Sequence, residues 1–303
     1  MTENHGAMLS ALTTYFLSSH DLEDEDVAQM TRETTRLQRE RGFNPTDLAA
    51  AQVVIIHGSL VSAVPTVFWV VAHVFSNIGL LTRLRDEVLA AVTITKDEAS
   101  GMRRVLITTD RIESRCPILT AAFREAQRLA AVGTLHRRVL NDTEITATVG
   151  GARMTYLLKK GTAVLVPVVP SHRNYEAWGD EVDEFDVNRF LAEDMKGVQA
   201  TQGNVGGIKK VSMSRKKAYF PFGGGKELCP GRNFATAEAL GTLVVLVLGF
   251  DISAPDGSVL KLPPQGFSKM TSQTARPLET ADLRASVKRR EGWENVIWGV
   301  SRD

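Results

Sequence analysis

One cysteine stands where a sulfur could do chemistry. In Tyr219–Ala235, YFPFGGGKELCPGRNFA, Cys229 lies between a run of three glycines and the start of an apolar helix. Pro230 suits the first helical position, where its missing N–H costs nothing, and that puts Cys229 at the N-cap. The unpaired backbone N–H groups and the positive end of the helix dipole there stabilise a thiolate, the form of cysteine that ligates metals. Gly223, Gly224 and Gly225 allow positive φ and carry no Cβ, so the backbone can turn sharply and lie close beneath a flat ligand. Phe222 can pack beside the sulfur, and Gly231 lets the helix approach it. Together Phe222, Gly225, Cys229 and Gly231 form the pattern FxxGxxxCxG. The plain alternative is a buried cysteine in an ordinary loop.

A loop of this kind needs a scaffold, and the composition allows one. The chain has 303 residues, 43% of them hydrophobic, and a net charge of +1. That is enough apolar material for a sizeable core, and the charge predicts no generic affinity for nucleic acid. Cys116 and Cys229 are the two cysteines, too few for a disulfide framework, and the six histidines show no metal-ligand spacing. A reducing compartment is the default for such a chain. The segment MTENHGAMLS has no basic region followed by an apolar one, so no signal peptide is expected.

The elements follow from periodicity. An apolar helix is expected around Met8–Phe16 and a charged amphipathic one over 23–41, stopped by Gly42. Asn44-Pro45-Thr46-Asp47 then caps a long helix over 48–76. Leu48–Thr82 contains no Asp, Glu, Lys or Arg, long enough for a membrane span, but His57, His73 and a mid-run Pro65 favour a fully buried central helix. A short helix over 80–92 carries Arg83, Arg85, Asp86 and Glu87 outward. The helix over 115–131 holds Glu125 and Arg128 at i and i+3, on one face. A small sheet over 143–169 follows, with a hairpin turn at Gly150-Gly151 and a strand ended by Pro170. Residues 195–214 read as a mobile loop, and Lys209, Lys210, Arg215, Lys216 and Lys217 form a basic cluster on the approach to the cysteine. The loop and its following helix occupy 219–250.

This series resembles the cytochrome P-450 family, in which the loop cysteine is the axial ligand of haem iron. The resemblance covers roughly Leu48 to Leu248 and rests on the order of features: long helix, ExxR, small sheet, an FxxxRF segment, and the cysteine loop. It implies a single domain over 1–303, mainly α with small β-sheets, the C-terminal part of a P-450 fold lacking its N-terminal part. Glu125, Arg128 and Arg189 would form the family's buried structural triad. Arg189 lies in Phe185-Asp186-Val187-Asn188-Arg189-Phe190, where Val187 and Asn188 replace the family's usual proline and glutamate.

The implied activity is O₂-dependent oxygen insertion into a lipophilic small molecule such as a secondary metabolite or sterol-like lipid. The implied cofactor is haem b, with electrons from NADPH through a flavoprotein reductase docked on the basic cluster. Phe222, Gly225 and Gly231 would border the haem. Glu227 stands where the family usually has a propionate partner, so Lys226, Arg137 or Arg138 would serve instead, with His136 a weaker candidate. The central helix is similar to the sterol 7α-hydroxylase and prostacyclin synthase branch in Pro65, Phe68 and Trp69, and it offers Ser62-Ala63 in place of the family's acid and threonine. Ser62 is therefore the catalytic candidate, and Ser59, Val61, Val64, Gly266 and Phe267 are the substrate candidates. The missing acid leaves open an isomerase that needs no proton delivery. A non-catalytic haem-binding remnant is the other alternative. A longer form with the family's anchor would lie on the cytosolic face of the endoplasmic reticulum membrane; the chain as written has no evident anchor and reads as cytoplasmic.

Overall fold

The computed structural model describes residues 2–98, 100–194, 215–266 and 273–301. Within it the chain forms two compact units, Met1–Ala63 and Val64–Asp303. Lys209, Lys210, Phe267 and the expected loop over 195–214 lie outside the described residues.

The smaller unit is helical. Its helices Thr2–Leu17 and Gln29–Glu40 are joined through a one-turn helix, His20–Glu23. The second ends in a Schellman arrangement: Gly42 has φ +87°, and the Phe43 N–H donates to the Gln38 carbonyl at 3.1 Å. A capping box opens the next helix, because Asn44 Oδ1 accepts from the N–H groups of Thr46 and Asp47 while Asp47 Oδ2 accepts from Asn44 N–H. That helix runs Pro45–Phe75, and Pro65 does not end it.

The larger unit is built around the helix Pro117–Ala130, which is buried along nearly its whole length. Helix Arg232–Gly249 packs on it with Leu240, Leu243, Val244 and Val247. Helix Ile78–Ala91 adds Leu84 and Val88, and the end of the long helix adds Trp69, Val70 and Val74. Each such side chain contributes about 1.5–3 kcal/mol on burial. A three-stranded sheet covers one flank: Thr93–Lys96 antiparallel to Arg103–Thr108, which is parallel to Val296–Ser301. Among the described residues four two-stranded pairs complete the larger unit, so the architecture is mainly α with small β-sheets, as expected.

Three expectations change. The long helix is not fully buried: its ends carry buried residues, but between Val53 and Val64 none is, and Val54, Leu60 and Val64 are exposed. The single small sheet is two separate pairs, Thr143–Val149 with Ala152–Leu158 and Ala163–Pro167 with an unforeseen strand, Thr134–Arg138. Gly150 and Gly151, at φ +57° and +82°, make the hairpin turn expected there. Arg85 and Glu87 do not both face outward. Arg85 donates to the carbonyls of Val247 and Phe250, and the Glu87 carboxylate accepts the N–H groups of Ile118 and Leu119 at 2.8 and 2.9 Å. Four donors at every helix N-terminus lack partners within the helix, and Glu87 satisfies two of them for the buried helix.

Candidate haem-thiolate site

The loop Tyr219–Gly231 is shaped by its glycines. Gly223 and Gly225 have φ of +77° and +68°, a region closed to most side chains, whereas Gly224 is extended. The turn this creates folds the loop back so that Cys229 N–H donates to the Phe222 carbonyl at 3.0 Å. Cys229 is a free thiol, half-buried among exposed neighbours. A Cβ at Gly231 would stand 3.9 Å from its sulfur, and among the described residues, chain neighbours aside, no atom lies within 4 Å of a Cβ built on Gly224 or Gly225. Cys229 is not the N-cap: the helix begins at Arg232 with Gly231 as its cap. The Arg232 N–H and guanidinium both donate to the Cys229 carbonyl, at 3.4 and 3.1 Å, tightening Pro230-Gly231 into a separate turn ahead of the helix.

Behind the loop lies the buried charge network. Arg128 gives Glu125 a bidentate pair at 2.7 and 2.8 Å, and both residues are fully buried. Arg189 Nε stands 3.3 Å from Glu125 Oε1, an ion pair without hydrogen-bond alignment. Glu125 also accepts the Asp186 N–H at 3.1 Å. The guanidinium groups reach onward: Arg128 to the carbonyls of His172, Val182 and Glu184, Arg189 to those of Trp178 and Glu181. Five carbonyls between His172 and Glu184 are thereby held by two cations that share one carboxylate.

Other sequence candidates scatter. Arg137 donates to the Gly224 carbonyl at 2.8 Å and so touches the loop itself, while Arg138, His136, Lys226 and Glu227 are exposed. Arg215 leaves the basic cluster: half-buried, it donates to the carbonyls of Ala177 and Arg189 and stands over the Trp178 ring. Lys216 and Lys217 are exposed. In the smaller unit Ser59 and Ser62 are half-buried, and Ser59 Oγ donates to the Ile56 carbonyl of its own helix. Val61 is half-buried and Val64 exposed. Gly266 pairs with Arg276, and a Cβ there would come within 3.1 Å of Leu278 Cα.

Comparison with known proteins decides the family. The family model Cytochrome P450 matches residues 13–278. The chain belongs to the cytochrome P450 family. Among relatives of this P450, a cytochrome P450 monooxygenase of Gibberella zeae is 34% identical over 91% of the chain and 50% of its own length. The cytochrome P450 monooxygenase nodJ of Hypoxylon pulicicidum is 26% identical over 96% and 52%. The 25-hydroxycholesterol 7-alpha-hydroxylase of Rattus norvegicus is 26% identical over 78% and 55%. The chain thus spans about half the length of the curated relatives it matches. The family implies haem, and the loop's chemistry fits it: a half-buried free thiol and, among the described residues, an open side at Gly224 and Gly225, with the Arg137 guanidinium held on the Gly224 carbonyl. The match also extends beyond Leu48–Leu248 on both sides, into segments with no motif of their own.

Proposed function

We propose that Cys229 is the axial thiolate of a haem monooxygenase acting on a lipophilic small molecule. The observation that carries this is the half-buried thiol beside an open glycine turn, fastened by its own N–H to Phe222. When bound, the haem supplies O₂ activation, with the thiolate favouring O–O cleavage. The chain's own part is to hold the sulfur, neutralise the propionates through Arg137, Arg138 or Lys226, and keep the loop registered on the Glu125 network. The 25-hydroxycholesterol 7-alpha-hydroxylase among the relatives supports an apolar substrate for the full-length protein.

The test is the spectrum of the reduced carbon monoxide complex of the chain loaded with haem. A thiolate-type red-shifted Soret band that vanishes in Cys229→Ala supports the reading, and absence of bound haem refutes it for this chain. The segment His57–Trp69 contains no carboxylate, which favours a second reading: rearrangement of an already oxygenated substrate. Turnover of such a substrate without O₂ or NADPH would select it. Reductase docking is proposed at Lys216 and Lys217, and charge reversal there should slow electron delivery at low salt. Placement on the cytosolic face of the endoplasmic reticulum is proposed from the family alone and is testable by membrane fractionation of the full-length protein.

A further inference from the structure

The back of the cysteine loop is not held by packing alone. A cleft of about 310 Å³ lies behind it, lined on one side by Thr120, Phe123 and Arg124 of the buried helix and on the other by Phe220, Pro221 and Phe222. With that space open, hydrogen bonds supplement the apolar contact of Tyr219 in setting the register of loop on helix, and the Tyr219 hydroxyl lies 2.9 Å from Gln127 Oε1 and 3.3 Å from the Arg124 carbonyl of the buried helix. Another such bond comes from a residue to which the sequence assigned no role. His172 is fully buried, and its ring joins the two elements: Nδ1 lies 3.1 Å from the Arg128 carbonyl, and Nε2 lies 3.1 Å from the Phe220 N–H. A carbonyl only accepts and a backbone N–H only donates, so the ring must carry its proton on Nδ1 and keep a lone pair on Nε2. Burial pushes its pKa down to about 4, which keeps it neutral near pH 7. The clamp is reciprocal, since Arg128 returns a bond to the His172 carbonyl at 2.8 Å. The ring stacks on Tyr219 at 5.5 Å and meets Phe220 edge-on at 5.4 Å, so it cannot rotate away without losing both. Phe220 precedes by two residues the carbonyl that receives Cys229 N–H.

We infer that His172, as the neutral Nδ1–H tautomer, is a positioning residue that couples the Glu125–Arg128 network to the cysteine loop and so fixes how Cys229 is presented. The inference rests on the haem-thiolate reading for its consequence but not for its geometry, and the tests separate the two.

The first test uses the unaltered chain. Nitrogen-15 spectra of the histidine-labelled protein, with haem in the diamagnetic reduced carbon monoxide form or without haem, should show one histidine with a protonated Nδ1 and a bare Nε2 at neutral pH. The opposite tautomer, or an imidazolium, at His172 overturns the proposal even if haem binds normally. The second test divides the two bonds. A glutamine side chain at position 172 reaches the Nε2 place and can accept from Phe220, whereas an asparagine reaches only the Nδ1 place and serves Arg128. The Phe220 amide should exchange at least tenfold faster in His172→Asn and His172→Phe, and the thiolate-type band should decay several-fold faster in both. His172→Gln should restore most of the protection and most of the band lifetime. Equal behaviour of the Gln and Asn variants overturns the proposal. If no haem is retained by any form, the haem-thiolate reading fails while the tautomer and exchange measurements still decide the clamp.

Discussion

Glu125→Gln is the sharpest perturbation of the charge network. In the native chain one carboxylate answers two guanidinium groups, Arg128 at 0% exposure and Arg189 at 7%, and also receives the Asp186 N–H. The substitution keeps the shape and one acceptor but removes the charge that opposes the two buried cations, and the new amide N–H₂ points a donor at donors. Breaking a buried pair from one side costs about 3–5 kcal/mol, a large share of the roughly 5–15 kcal/mol that holds a domain together. The Arg128 bonds to three carbonyls remain, so the variant should fold and melt early. With a urea dependence of about 3 kcal/mol per molar for a unit of this size, the midpoint should fall by about 1–2 M. A double-mutant cycle adds the diagnosis: Arg189→Met should cost much less in the Glu125→Gln background than alone, a coupling of about 1–3 kcal/mol. Strict additivity, or a loss below about 1 kcal/mol as for an exposed pair, would refute the claim that these three side chains act as one unit.

Acid should destabilise the fold through two histidines. His73, stacked on Phe185 at 4.1 Å, and His172 both have pKa values pushed by burial down to about 4 from 6.5. Each is neutral in the folded chain but takes a proton when unfolded, so stability falls as pH drops below about 6.5 and levels off below about 4. By pH 5 the loss should be about 2 kcal/mol per histidine, and it should shrink by that amount in His172→Phe; a flat profile between about pH 7 and 5 would contradict the burial. Thiol labelling should discriminate the cysteines. Cys116 is fully buried with its thiol pushed up to about 12, first by burial and then by Glu87, so peptide mapping should find Cys229 alkylated first and Cys116 only on unfolding. Haem should then protect Cys229. Two glycines of the final helix should respond oppositely. A Cβ at Gly249 would meet Trp298 at 3.0 Å, so Gly249→Val should cost about 1–3 kcal/mol. At Gly241 no atom among the described residues outside the helix's own backbone and its chain neighbours lies within 4 Å of such a Cβ, so Gly241→Ala should stabilise by about 0.5–1 kcal/mol in thermal melts.

The cysteine loop was legible because its requirements are local: positive φ at Gly223 and Gly225 and a sulfur a fixed distance along the chain. The ExxR face is likewise a matter of helical spacing, and Asn44 and Gly42 announced their caps by residue type. The meeting of Arg189 with Glu125 came from family resemblance and not from pattern, since nothing in a charged residue's neighbours in sequence says it will be buried. Tertiary structure alone decided the rest. His172 and Phe220 are 48 residues apart, Glu87 and Ile118 are 31 apart, and Arg137 and Gly224 are 87 apart. A hydrogen bond over such separations leaves no period to read. Arg215 looked like one more surface charge and turned inward, onto the carbonyls of Ala177 and Arg189 and the Trp178 ring, which only the folded chain brings within its reach. The sequence by itself determined which atom could bind iron and which helices could carry it; folding decided which side chains hold that atom in place.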